Sequence, residues 1–164
     1  MMDPAELTHC FDRNAAAMIL YARQWLDSAG AEDVVQESFV RLMLSTRCPE
    51  NVKAWLYRTT RNLAISQWRS GRRRQQREQA VARVEPLLEC HEGDAADAQI
   101  AVNALESLSD IQREIIVLRI WGQLKLAEIA GVVDAPVSTV FHNYQQGLRE
   151  IRKRLGIPCK NEND

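Results

Sequence analysis

No run of apolar residues approaches the ~20 needed to span a bilayer, and the first residues lack a basic stretch followed by an apolar one. Membrane insertion and export are not expected, and the cytoplasm is the expected compartment. Cys10, Cys48, Cys90 and Cys159 are scattered, with no C-x-x-C pair. That spacing argues against a zinc ribbon and against a disulfide framework, leaving reduced thiols as the simplest reading. A glycine-rich phosphate loop, a nucleophile elbow and an acid and base constellation are all missing, so neither an enzyme nor a cofactor is expected. Cys90, His91, Glu92 and Asp94 cluster, but without a second group at a usual ligand spacing, and no metal is expected there. His9 and Cys10 fall on an amphipathic stretch, which favours packing or surface roles over a catalytic pairing. Sustained strand alternation flanked by hairpin turns is absent as well.

What is present is helical periodicity throughout, within 164 residues, enough for one compact domain or two small ones. The charge map favours two. Net charge is only −1, but its distribution is uneven. Residues 1–46 carry three basic and seven acidic side chains, whereas 47–83 carry ten basic and two acidic. Residues 84–114 then hold one basic and eight acidic groups, and 115–164 hold seven basic and five acidic. Because Coulomb fields are local on the scale of a Debye length, such a chain offers one face to phosphate and another to a basic partner.

The first helix places Leu7, Phe11, Met18, Ala22 and Trp25 on one stripe, after Asp3 as cap and Pro4 at a tolerated first position. Gly30 ends or interrupts it. A second helix is predicted from Ala31 to about Ser45, with Val35, Phe39 and Leu42 inward and Asp33, Gln36, Glu37 and Arg41 outward. A third, from about Val52 to Arg69, buries Val52, Leu56 and Leu63. On its other faces Arg58, Asn62, Ile65 and Arg69 share a spacing, with Arg61 and Trp68 beside them and Arg72, Arg73 and Arg74 beyond. Ten positive charges in one 37-residue stretch, interleaved with Trp55, Tyr57 and Trp68, favour phosphate binding over a merely solvated face.

Between Gln75 and Ala98 apolar periodicity weakens, Pro86 and Gly93 appear and acidic residues dominate, which marks a flexible acidic linker. Ser109 and Gln112 then fit a capping box opening a helix whose apolar members include Ile115, Ile116, Leu118 and Ile120. Gly122 closes it. A short helix from about Leu124 to Val133, a turn at Asp134 and Ala135, and a long helix from Pro136 to about Leu155 have helix-turn-helix form. Ile129, Ala130, Val133, Val137 and Val140 are the expected packing positions. In that motif the second helix meets base edges through its early exposed residues, here Ser138, Thr139, Phe141, His142 and Gln145. Pattern alone leaves a three-helix bundle without DNA contact equally open.

The stretch Glu32-Asp33-Val34-Val35-Gln36-Glu37-Ser38-Phe39-Val40-Arg41-Leu42, followed by Ala54-Trp55-Leu56-Tyr57-Arg58-Thr59-Thr60-Arg61-Asn62-Leu63-Ala64, resembles the second conserved region of extracytoplasmic-function sigma factors of RNA polymerase. Leu105 through Leu155, with Ala127-Glu128-Ile129-Ala130 and Pro136-Val137-Ser138-Thr139-Val140, is similar to their fourth region. The resemblance implies an all-α protein of two small helical domains, residues 1–74 and 99–157, joined by residues 75–98. It implies core RNA polymerase and promoter DNA as partners, with an anti-sigma factor as a frequent third. Asp33, Gln36, Glu37 and Arg41 would face the polymerase. Arg58, Arg61, Asn62, Gln67, Trp68, Arg69, Arg72 and Arg73 would lie at the minus-ten element, and Ser138, Thr139, Phe141, His142 and Gln145 at the minus-thirty-five element. The acidic linker would thread toward the RNA exit path. Two departures stand out: Asp134 occupies a turn position where the family usually has Gly, and the recognition helix has Phe141, His142 and Asn143 where basic residues are usual. A helix-turn-helix regulator, or a decoy that binds polymerase without promoters, is the competing reading, and the second-region block is what a plain regulator has no reason to carry.

Overall fold

A computed structural model describes residues 3–78 and 102–156, and every described element is helical. The chain divides into two compact units, residues 1–87 and 88–164. In the first unit α1 (Pro4–Ala22), α2 (Ser28–Leu44) and α3 (Val52–Glu78) pack on one another. Met18, Tyr21, Ala22, Val35, Leu56 and Tyr57 are almost fully buried among them. Large residues of this kind each contribute about 1.5–3 kcal/mol on removal from water, which is what holds the three helices together. Tyr21 sits edge-on to both Trp25 (5.2 Å) and Tyr57 (5.5 Å), joining α1 to α3. Between α2 and α3 the buried hydroxyls of Ser38 and Thr60 lie 2.9 Å apart, and Ser38 also donates to the Val34 carbonyl at 2.7 Å. A satisfied polar pair in an apolar seam favours one register of the two helices, since sliding either would break the Ser38–Thr60 bond.

Two boundaries differ from the sequence reading. Gly30 does not break the chain. It lies in the first turn of α2, where its N–H donates to the Asp27 carboxylate at 2.8 Å. Asp27 is the N-cap, so the helix opens three residues earlier than expected. A side chain at residue 30 would sit 2.9 Å from that carboxylate oxygen and 3.2 Å from Gln67 Nε2, so it would displace the capping carboxylate. At the other end, α3 continues past Arg69 to Glu78, taking in the first residues assigned to the linker. Arg, Gln and Glu sustain a helix by propensity alone, whereas apolar periodicity stops where burial stops, and residues 66–73 are exposed. The rest of the expected linker, with Cys90, His91, Glu92 and Asp94, lies outside the described residues.

In the second unit a helical stretch at residues 102–106 precedes α4 (Asp110–Ile120), α5 (Leu126–Val133) and α6 (Val137–Arg154). The expected capping box forms: Gln112 N–H donates to Ser109 Oγ at 3.4 Å, and Ser109 N–H donates to Gln112 Oε1 at 3.3 Å. Arg113 donates to the carbonyls of Leu105 (3.0 Å) and Leu108 (3.1 Å), tying the preceding turn to α4. Ile115, Ile116, Leu118, Leu124, Ile129 and Val140 form the core. Buried Gly147 lets α6 close on α4, for a Cβ there would meet Ile116 Cδ1 at 2.6 Å. Val137, an expected packing residue, is instead 49% exposed, and Ile120, an apolar member of its helix, is 47% exposed, because each lies at a helix end beyond the stretch its neighbours cover. The turn between α5 and α6 places Asp134 in the left-handed region, φ 57°, a conformation that Asp tolerates better than most non-glycine residues.

Candidate polymerase and nucleic-acid interfaces

The acidic face comes from α2. Burial of Val34, Val35, Ser38, Phe39 and Leu42 turns Asp33, Gln36, Glu37 and Arg41 outward together, and all four are exposed. Arg41 pairs with Glu37 at 2.8 Å in an i, i+4 arrangement that holds the carboxylate on the surface. A shallow groove of about 420 Å³ runs beside this face, lined by Asp33, Gln36, Glu37, Val40, Leu63 and Gln67. Gln67, grouped by sequence with the basic residues of α3, is thus brought to the acidic side. Val40, Met43 and Leu44 extend the face as exposed apolar groups.

The basic face comes from α3. Leu56, Tyr57, Thr60 and Ala64 are buried, and this rotates Arg58, Asn62, Trp68, Arg69, Arg72 and Arg73 into solvent, with Arg61 half-buried. An open concavity of about 830 Å³ collects Arg61, Asn62, Ile65, Ser66, Trp68, Arg69, Arg72 and Arg73. Within it the Arg72 guanidinium lies 5.0 Å from the centre of the Trp68 ring, a cation–π contact that keeps a partly exposed aromatic beside positive charge. Such a surface suits phosphate and unpaired bases together. Trp55 is half-buried and stands apart from that concavity.

The third face is the start of α6. Ser138, Thr139, Phe141 and His142 are exposed and Gln145 is half-buried, so the early turns present the side chains expected of a recognition helix. Asn143 is turned aside, its amide donating to the Thr139 carbonyl at 2.9 Å. Sequence reasoning missed Val137 by assigning it to the core.

No described group of His, Cys, Asp and Glu is arranged to hold a metal. At Cys10 burial pushes the thiol up, against weaker opposing effects of the Asn14 hydrogen bond and of Lys53, so a protonated packing residue results. Among the described residues no helix is long and apolar enough to cross a membrane.

An acidic helix face, a basic aromatic helix and a helix-turn-helix define a two-unit protein that meets both protein and nucleic acid. Sigma-70 region 2 matches residues 10–74, and Sigma-70, region 4, matches residues 98–151. The chain belongs to the extracytoplasmic-function sigma factors of RNA polymerase. It is 31% identical over 140 residues to the ECF RNA polymerase sigma factor SigW of Bacillus subtilis, covering 76% of this chain and 75% of that protein. It is 30% identical over 160 residues to SigL of Mycobacterium tuberculosis, covering 90% and 89%. The same fold occurs in the sigma factor RpoE of Bartonella quintana, solved with the anti-sigma factor NepR, at a TM-score of 0.77 and 22% identity over 94% of this chain and 99% of that one. It occurs also in CnrH, solved with the cytosolic domain of CnrY, at a TM-score of 0.63 and 21% identity over 96% and 92%. As a sigma factor the protein binds core RNA polymerase and directs it to promoters at transcription initiation, and it is not an enzyme.

Proposed function

We propose that the three faces divide this work as follows. Asp33, Gln36, Glu37 and Arg41 on α2 dock on core polymerase. Arg58, Arg61, Asn62, Trp68, Arg69, Arg72 and Arg73 on α3, with Gln67 at the seam, engage the minus-ten element. Ser138, Thr139, Phe141, His142 and Gln145 on α6 read the minus-thirty-five element. Residues 1–74 and 99–157 act as two working bodies joined through residues 75–98, and the protein acts in the cytoplasm. The observation that carries this reading is the segregation of charge by helix face: acidic groups of α2 and basic groups of α3 are held outward by the same buried core. A field of one sign on each face steers each partner to its own surface. An anti-sigma factor belongs to the proposal, supported by the structural relative solved with the anti-sigma factor NepR. The test is co-elution with core polymerase followed by promoter-dependent transcription, for the wild type and for Asp33→Lys with Glu37→Lys. Retained co-elution in that variant would refute the assignment of α2.

A further inference from the structure

The start of α6 combines exposed apolar surface with an absence of positive charge. Val137 and Phe141 are 49% and 48% exposed although both are large and apolar. Four residues apart on one helix, they stand one above the other on the same face. No Lys or Arg occurs from residue 135 to residue 148, and the first basic side chain on α6 is Arg149, three turns along. Guanine is read in the major groove most often by Arg or Lys reaching its O6 and N7, and this face carries neither. It carries apolar area instead, and the apolar group that base edges present there is the C5 methyl of thymine.

We propose that Val137 and Phe141 read thymine methyls in the upstream promoter element, so that specificity there rests on A·T pairs whose thymines face the start of α6. The inference rests on the reading of α6 as the promoter-contacting helix. One helical turn rises about 5.4 Å and successive bases on a strand are about 3.4 Å apart, so side chains one turn apart address neighbouring base pairs. The exposed pair is flanked by Ser138, Thr139 and His142, hydrogen-bonding groups that match base edges and phosphates. An apolar groove on a protein would leave those groups unsatisfied, which favours DNA as the occupant.

Holoenzyme assembled from the full chain and core polymerase is used to select promoters randomised in the upstream element. Each thymine of the selected site is then replaced by deoxyuridine, which removes only the methyl. At one or more positions this replacement is expected to weaken binding about fourfold, the effect of exposing one buried methyl. In holoenzyme carrying V137A and F141A the ratio between thymine and uracil sites falls to about one. Selection of a G·C-rich element, or equal binding of thymine and uracil sites by the wild type, overturns the inference while leaving α6 a promoter reader. Indifference to the whole upstream sequence overturns the reading of α6 itself. Retained methyl discrimination in the double variant removes Val137 and Phe141 from the role.

Discussion

Replacing Arg58, Arg69, Arg72 and Arg73 together by Gln tests whether α3 binds phosphate. All four are exposed, so the fold loses little: the Arg72–Trp68 contact, about 0.5–1 kcal/mol at an exposed site, and a long exposed hydrogen bond from Arg73 to Ser70 Oγ at 3.5 Å. Their contribution to DNA binding is expected to be much larger. Each phosphate contact on duplex DNA contributes about 0.9 to the slope of log affinity against log salt. Four contacts therefore make up about 3.6 units of slope, or roughly 150-fold in affinity between 50 and 200 mM salt. The assay is binding of holoenzyme to a fluorescent promoter duplex across a salt series, with thermal unfolding as the control for folding. The variant is expected to bind weakly at low salt and to show a flatter salt dependence. A slope equal to the wild type's, with the fold intact, would mean that the concavity around Trp68 is only a solvated surface.

Reversing Asp33 and Glu37 to Lys is expected to reduce affinity for core polymerase at least tenfold in a pull-down while helicity by circular dichroism is unchanged, because both side chains are exposed. Tyr57 is buried with a hydroxyl that has no hydrogen-bond partner, so Tyr57→Phe is expected to stabilise the first unit by about 1 kcal/mol in denaturant unfolding. Burial also raises the Tyr57 phenol above its ordinary value, so the protonated form is favoured when folded. Its contribution to stability holds below about pH 10 and is lost as pH rises beyond, a decline that Tyr57→Phe is expected to lessen. Ser109→Ala removes the acceptor of Gln112 N–H and is expected to cost about 1 kcal/mol in thermal unfolding.

Much of this architecture is legible in the sequence because one physical signal, apolar residues at helical spacing, governs helices that bury one face. The capping box at Ser109 and Gln112 was legible for the same reason, since its two residues act locally. The errors fall where another effect competes. Gly30 reads as a breaker until the carboxylate of Asp27, three residues before it, is recognised as a cap that its N–H satisfies. Residues 66–73 of α3 are exposed, so periodicity could not extend the helix to Glu78, while the propensity of Arg, Gln and Glu did. Val137 matches the spacing of the buried Val140, and only the tertiary arrangement reveals that the first residue of α6 is left half-exposed while Val140 is covered. Among the site residues, charge and periodicity placed the acids of α2 and Arg58, Arg69, Arg72 and Arg73 of α3 correctly on the surface. They did not reveal that Gln67 lines the groove beside Asp33 and Glu37, because that depends on how α3 crosses α2.

The most direct measurement of the central claim is transcription in vitro from fragmented genomic DNA by core polymerase with and without this protein, every transcript start being mapped. A discrete set of starts is expected that requires the protein, shares an upstream and a minus-ten element, and disappears with the Asp33→Lys, Glu37→Lys variant. An unchanged set of starts on adding the protein, or a set that survives that variant, would contradict it.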